Sequence, residues 1–168
     1  MRIWPLCLSV VLLLAGCAVP GNRAATPRFL HQVPGGTLLS LERPVQFTAG
    51  SLRVYFQDGK LYQNAGILGF LGVNRYRAYC ALELRQKAAA ALELTPRQFR
   101  MDKVEWDVTY VMMDTSEFRT QWRLSGGDPA PYAFVCYKTG NAAYESPLSL
   151  EEIDLVVGDY FRLQSHAN

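Results

Sequence analysis

Between Val104 and Leu124 apolar and polar residues alternate with a period of two, which a helix of 3.6 residues per turn cannot satisfy and a half-buried antiparallel hairpin does. Val104, Trp106, Val108, Tyr110 and Met112 share one face, with Glu105, Asp107 and Thr109 on the other. After Asp114-Thr115-Ser116, Phe118, Trp122 and Leu124 continue the apolar face, with Arg119, Gln121 and Arg123 opposite. A three-residue loop sets Asp107 beside Arg123, and a slip by two sets Glu105 there instead. Either register pairs acid with arginine, a contribution of about 0.2–1 kcal/mol for an exposed pair. The spacing therefore predicts a solvated polar face and an apolar face turned to the core.

The same period recurs upstream. Val45, Phe47 and Ala49 alternate with polar residues, as do Leu52, Val54 and Phe56 beyond Gly50-Ser51. A Gly-Ser pair favours a two-residue II′ turn, which predicts Phe47 opposite Val54 and Val45 opposite Phe56. Asp58-Gly59 is a type I′ signal that returns Lys60–Gln63 as a further short strand. Cys80, Leu82 and Leu84 predict a strand over Tyr79–Arg85, and Tyr132, Phe134 and Cys136 lie on one face of another. Lys87–Ala91 is strong helix-forming sequence ahead of Pro96, and reads as a turn or a short helix. Ser149, followed by Glu151, Glu152 and the stripe Ile153, Leu155, Val156 and Val157, predicts a capped short helix stopped at Gly158. Tyr160–Leu163 is a last short strand. The expected fold is mainly β, an antiparallel sandwich or partly closed barrel with a short C-terminal helix.

The N-terminal segment has a different character. Arg2 precedes an apolar run from Ile3 to Leu14, and small residues lead to Cys17, the three-part layout of a secretory signal. The run is far shorter than the roughly 20 residues a spanning helix needs. Leu14-Ala15-Gly16-Cys17 resembles the lipobox of bacterial lipoproteins. That resemblance implies cleavage before Cys17, a diacylglycerol on its thiol and acylation of the new amine. Several acyl chains, at about 0.8 kcal/mol per buried methylene, hold a protein on a membrane essentially permanently. Ala18, where aspartate would signal inner-membrane retention, implies an outer-membrane address, with the domain on the periplasmic face. The expected organisation is a signal peptide over 1–16, a lipidated N-terminus and tether over 17–36, and one β-rich domain over 37–168. The tether reading rests on Pro20, Gly21, Pro27, Pro34, Gly35 and Gly36, with Phe29 and Leu30 as the exceptions able to dock on the domain.

Loss of the signal removes Arg2 and lowers the net charge from +2 to +1, which gives no electrostatic case for a nucleic-acid partner. About 150 residues remain, enough for a single core. With Cys17 lipidated, Cys80 and Cys136 are left, and an even pair in an oxidising compartment reads as one disulfide; two buried free thiols are the alternative.

Catalysis finds little to work with. His31 lies in the tether and His166 near the C-terminus, so neither sits on a scaffold for a hydrolase triad or a zinc site. Asp102 with Glu105 is the carboxylate pair to weigh for glycosidic chemistry, against surface charges balanced by arginines. No catalytic residue, metal or cofactor is expected. Gly66, Gly69 and Gly72 recur among Ile67, Leu68, Phe70, Leu71 and Val73 without the lysine and hydroxyl residue of a phosphate loop. That segment is either a hydrophobic loop closing an end of the sheet, or an exposed surface in which Ile67, Leu68, Phe70 and Leu71 meet a partner or ligand.

Beyond the lipobox, the run Ala49–Gly59, the tyrosine-preceded Cys80, the later Cys136 and the closing Leu155–Phe161 are together similar to proteobacterial lipoproteins that carry no assigned activity. The resemblance implies envelope location and supplies no mechanism. The expected role is a non-enzymatic binding or structural module, held to the membrane by its N-terminal lipid and touching an envelope protein partner. A carrier of a small apolar ligand is the second reading and a glycan-active enzyme the third.

Overall fold

A computed structural model describes residues 27–64, 72–112, 114–126 and 131–164. Ten strands and one helix follow in chain order: β1 (Leu38–Leu41), β2 (Val45–Phe47), β3 (Arg53–Gln57), β4 (Lys60–Tyr62), β5 (Tyr79–Glu83), β6 (Leu92–Leu94), β7 (Arg97–Met112), β8 (Thr115–Ser125), β9 (Ala133–Gly140), α1 (Leu150–Val157) and β10 (Phe161–Gln164). Eight strands form one antiparallel sheet in the order β10-β1-β7-β8-β9-β5-β3-β4, curled into a half-barrel. Of the two architectures the alternation allowed, this is the partly closed barrel.

Cys80 and Cys136 are directly opposite across β5 and β9 and are joined as a disulfide, with Cα atoms 4.0 Å apart. Around them the inner face carries Val54, Phe56, Leu82, Phe134, Trp122, Met101 and Phe99, all buried. α1 closes part of this concavity with Ile153, Val156 and Val157. Ser149 caps it: its hydroxyl accepts from the Glu152 amide, and the Glu152 carboxylate accepts from the Ser149 amide. Gly158 ends it at φ 54°, where an added Cβ would meet the Gly59 Cα at 2.7 Å, so only glycine fits.

The stretch before β1 also packs on the domain. Phe29 bridges Ser149, a 3-10 turn follows over Leu30–Gln32, and the fully buried Leu30 offers its carbonyl to the Trp122 indole N–H at 3.0 Å. Phe29 and Leu30, singled out within the expected tether, are therefore part of the folded unit.

Two strand pairings differ from expectation. β2 pairs with β6 rather than β3, because Thr48–Ser51 turns the chain out of the main sheet and Gly50 donates to Ala88. The alternation was sound, since Val45, Phe47, Val54 and Phe56 are all buried, but the partner strands were not. The Asp58-Gly59 turn does join β3 to β4, both residues taking positive φ. In the long hairpin Met112 pairs with Thr115, so Asp107 stands opposite Arg119 and Arg123 opposite Lys103. Glu105 still reaches Arg123, on the diagonal at 3.2 Å. Lys87–Ala91 forms no helix; Ala88 is buried and exchanges backbone hydrogen bonds with Gly50 and Ser51.

Candidate functional site

The largest departure from the sequence reading lies in β7. Its first four residues pair with β1 over Arg97–Arg100, and Met101 still bonds to Gly36 and Thr37. Beyond that point only β8 lies alongside, so the second edge of β7 has no strand partner among the described residues. The register shifts between Met101 and Lys103, leaving Asp102 as a bulge residue. One extra residue reverses the parity of a strand, so Phe99 and Met101 before the bulge and Val104 and Trp106 after it all face inward. The inward face then runs out of cover. Val104 is half-buried, while Trp106, Val108 and Tyr110 are exposed, and a second shift near Val111 presents Val111 and Met112 to solvent at the tip. The residues read as core are the outermost apolar side chains of the sheet.

The register carries this exposed group across one end of the half-barrel. Tyr110 is opposite Ser116, and Ser116 is opposite Gly140 on β9. The chain leaving Gly140 turns at Asn141–Tyr144 and exposes Tyr144 by 89%. Thr139 hydrogen-bonds the carbonyl of Arg75, whose neighbour Tyr76 is exposed by 73%. The β3–β4 turn lies at the same end: Gly59 donates to Val156, next to exposed Leu155. Asp58 there holds Arg77 through two 2.7 Å bonds. A shallow depression between Tyr76, Arg77, Lys138, Glu152 and Leu155 joins these elements. Lys138 bonds both Glu152 (2.8 Å) and Glu145 (3.0 Å). Burial alone would lower the Lys138 ammonium, but the two carboxylates more than offset it and hold it above its ordinary value.

At the mouth of the concavity a short aromatic ladder meets this surface. Phe29 stacks on His31 (5.6 Å) and His31 on Trp106 (5.2 Å). Burial holds the His31 imidazole below its ordinary pKa, so it is neutral at pH 7.

The outer face of the central strands is not the plain solvated sheet expected of it. Tyr79 and Tyr137 stack at 4.8 Å over buried Val73, Ala133 and Val135. Beside them buried Glu83 pairs with Arg53 at 2.7 Å, and Arg119 hydrogen-bonds buried Gln121. Burial pushes the Tyr137 phenol up, opposed by the Arg119 hydrogen bond, and pushes Tyr79 up further. Both phenols stay protonated and serve packing. Arg53 would be lowered by burial, but Glu83 holds it above its usual value.

The remaining sequence candidates divide cleanly. Asp102 pairs with Arg100, and Glu105 with Lys103 and Arg123. Both carboxyls are held below their ordinary values, Asp102 first by a hydrogen bond from Ser125 and Glu105 first by Lys103. A glycosidic acid needs the opposite shift. Cys17, Ile67, Leu68, Phe70 and Leu71 lie outside the described residues. The ends of the Gly-rich segment are fixed, since Val73 donates to the Asn64 carbonyl and the buried Gln57 amide bonds Asn74 at both its oxygen and its nitrogen. Among the described residues no group of three or more His, Cys, Asp or Glu gathers as metal ligands, and no helix is long and apolar enough to cross a membrane. Tyr76 and Tyr144 were missed because single apolar residues in turns carry no periodic signal, and Leu155, expected in the apolar stripe of α1, is exposed because Ile153, Val156 and Val157 take the packed face.

Compared with protein families, curated proteins and solved structures, the chain matches none.

Proposed function

We propose that the protein is a lipid-anchored envelope protein of the outer membrane, held through Cys17 and acting through surface contacts as a binding or structural module. The observation that supports this best is the gathering of exposed apolar side chains at one end of the half-barrel, in contrast to a well-filled interior. Exposed apolar side chains gathered at one end of a domain mark a surface that something contacts. A carrier needs an open interior, whereas Leu30, Trp122, Phe134 and Phe161 fill this one. Replacing Cys17 by serine tests the anchor: fatty-acid labelling should vanish and the domain should move to the soluble periplasmic fraction. Labelling that persists in Cys17→Ser refutes it.

A further inference from the structure

We propose that the end of the half-barrel bearing Tyr76, Tyr110, Val111, Met112, Tyr144 and Leu155 is a second membrane contact, seated end-on in the headgroup–acyl boundary of the bilayer. This rests on the reading of Cys17 as the lipid anchor and adds to it an orientation of the domain.

Three observations carry it. The first is distribution: six of the eight exposed large apolar residues described lie at this end, and the other two, Trp106 and Val108, stand just behind it on β7. The second is chemistry. Three of the six are tyrosines, whose apolar ring and polar hydroxyl suit the level where hydrocarbon meets water. Of the ionic groups beside them, Arg77 pairs with Asp58 and Lys138 with Glu145 and Glu152, which limits the desolvation of those groups, while the charges of Arg75, Asp114, Glu117 and Asp154 stay at the level of the headgroups.

The third is where the described chain begins. Pro27 is two residues from Phe29, and Phe29 and His31 stack in sequence onto Trp106. The anchor segment therefore joins the domain beside the exposed strand rather than at the far end of the sheet. From Trp106 to Met112 the strand extends about 20 Å. The ten residues from Cys17 to Pro27 reach at most about 35 Å. A lipidated Cys17 and the Tyr110–Met112 tip can thus lie in one bilayer plane at once. A short tether also keeps the tip at a high effective concentration near lipid, so each contact needs little affinity of its own.

The test uses full-length lipidated protein in phosphatidylcholine vesicles whose acyl chains carry bromine, which quenches nearby tryptophan. Trp106→Phe with Tyr110→Trp moves the reporter to the tip, while Trp122 stays buried. Emission from position 110 should fall strongly in brominated vesicles relative to plain ones, and emission from the native Trp106 should fall less, because the end inserts by about 5–10 Å. Adding Met112→Ser and Tyr144→Ser should restore position 110 to the unbrominated level with the disulfide intact. Equal emission from position 110 in both vesicles, in protein that carries its fatty acid, overturns the membrane contact and leaves the anchor standing. Absence of fatty-acid label removes the anchor itself. Loss of self-association or of a cross-linked protein in the serine variants, without quenching at position 110, assigns the surface to a protein and also overturns the proposal.

Discussion

Trp122 and Trp106 sit on neighbouring strands, point to the same face of the same sheet and have opposite fates. Trp122 is 1% exposed, is covered by Leu30 and gives its indole N–H to that residue's carbonyl; Trp106 is 53% exposed, with the His31 ring stacked on it. The alternation is identical around both. What separates them is cover: Trp122 packs in the core cluster with Leu30 and the α1 residues Ile153, Val156 and Val157, whereas Trp106 lies outside that cluster and keeps half its surface in solvent. A period of two shows which side chains share a face, and only long-range packing decides whether that face is buried.

Truncating the two tryptophans is the most direct way to break this comparison. Trp122→Ala should cost about 3–5 kcal/mol in urea unfolding, with the Leu30 carbonyl left without its donor. Trp106→Ala should stay within about 1 kcal/mol of the parent. Equal losses would mean that Trp106 is core and that the upper sheet is covered.

The disulfide sharpens the same contrast, because it lies in the two strands that are buried on both faces. Cys80 and Cys136 are separated by 56 residues, and cross-linking a loop of that size stabilises by about 4 kcal/mol in the chain-entropy model. Cys80→Ala with Cys136→Ala should therefore lower stability by about 2–4 kcal/mol. Hydrogen exchange should rise in β5 and β9 well before any change at Tyr110–Met112, whose outer edge has no strand partner among the described residues. Parallel changes in both regions would show that they unfold as one unit.

The cover itself is the next target. Gly158 holds a positive φ and passes within Cβ-clash distance of Gly59, locking the end of α1 onto the β3–β4 turn. Gly158→Ala should cost about 1–3 kcal/mol, through backbone strain and separation of those two segments. A neutral substitution would show that α1 can be reseated without consequence.

Much of this architecture was legible in local chemistry. Asp58-Gly59 specified its hairpin, Ser149 with Glu152 specified a helix start, and alternation specified most strands, because each depends on residues within a few positions of one another. The separation of β2 from β3 was not legible, since Gly50-Ser51 suits a hairpin equally well and its true neighbours, Ala88 and β6, lie some forty residues away. Nor was the second cluster: Glu83, Gln121 and Arg119 look like solvated charge until Tyr79 and Tyr137 are stacked beside them. The exposed end was hidden by a related error. A bulge at Asp102 and the end of β1 near Arg100 are invisible in the pattern, yet they decide that Trp106 and Tyr110 face inward without being covered.

The smallest effect concerns what fastens the start of α1. Glu152 closes the capping box with Ser149 and also binds Lys138, so one carboxylate serves both the helix and the exposed end. Burial would raise its pKa, but the hydrogen bond from Lys138 and those from Ser149 outweigh it and hold it below its ordinary value of 4.5. A carboxyl depressed in the folded state contributes stability that is fully present above its unfolded pKa and is lost as pH falls through the folded one. Glu152→Gln keeps the amide-accepting geometry and removes the charge. The variant should be less stable than the parent at neutral pH, by well under about 1 kcal/mol because the side chain is partly solvated. The gap should close as the pH drops from 4.5 through the lower folded value, while other carboxylates titrate alike in both proteins. Melting temperatures of the pair across that range decide it. A gap independent of pH would show that Glu152 acts only through cap geometry, and that Lys138 draws its fastening from Glu145 alone.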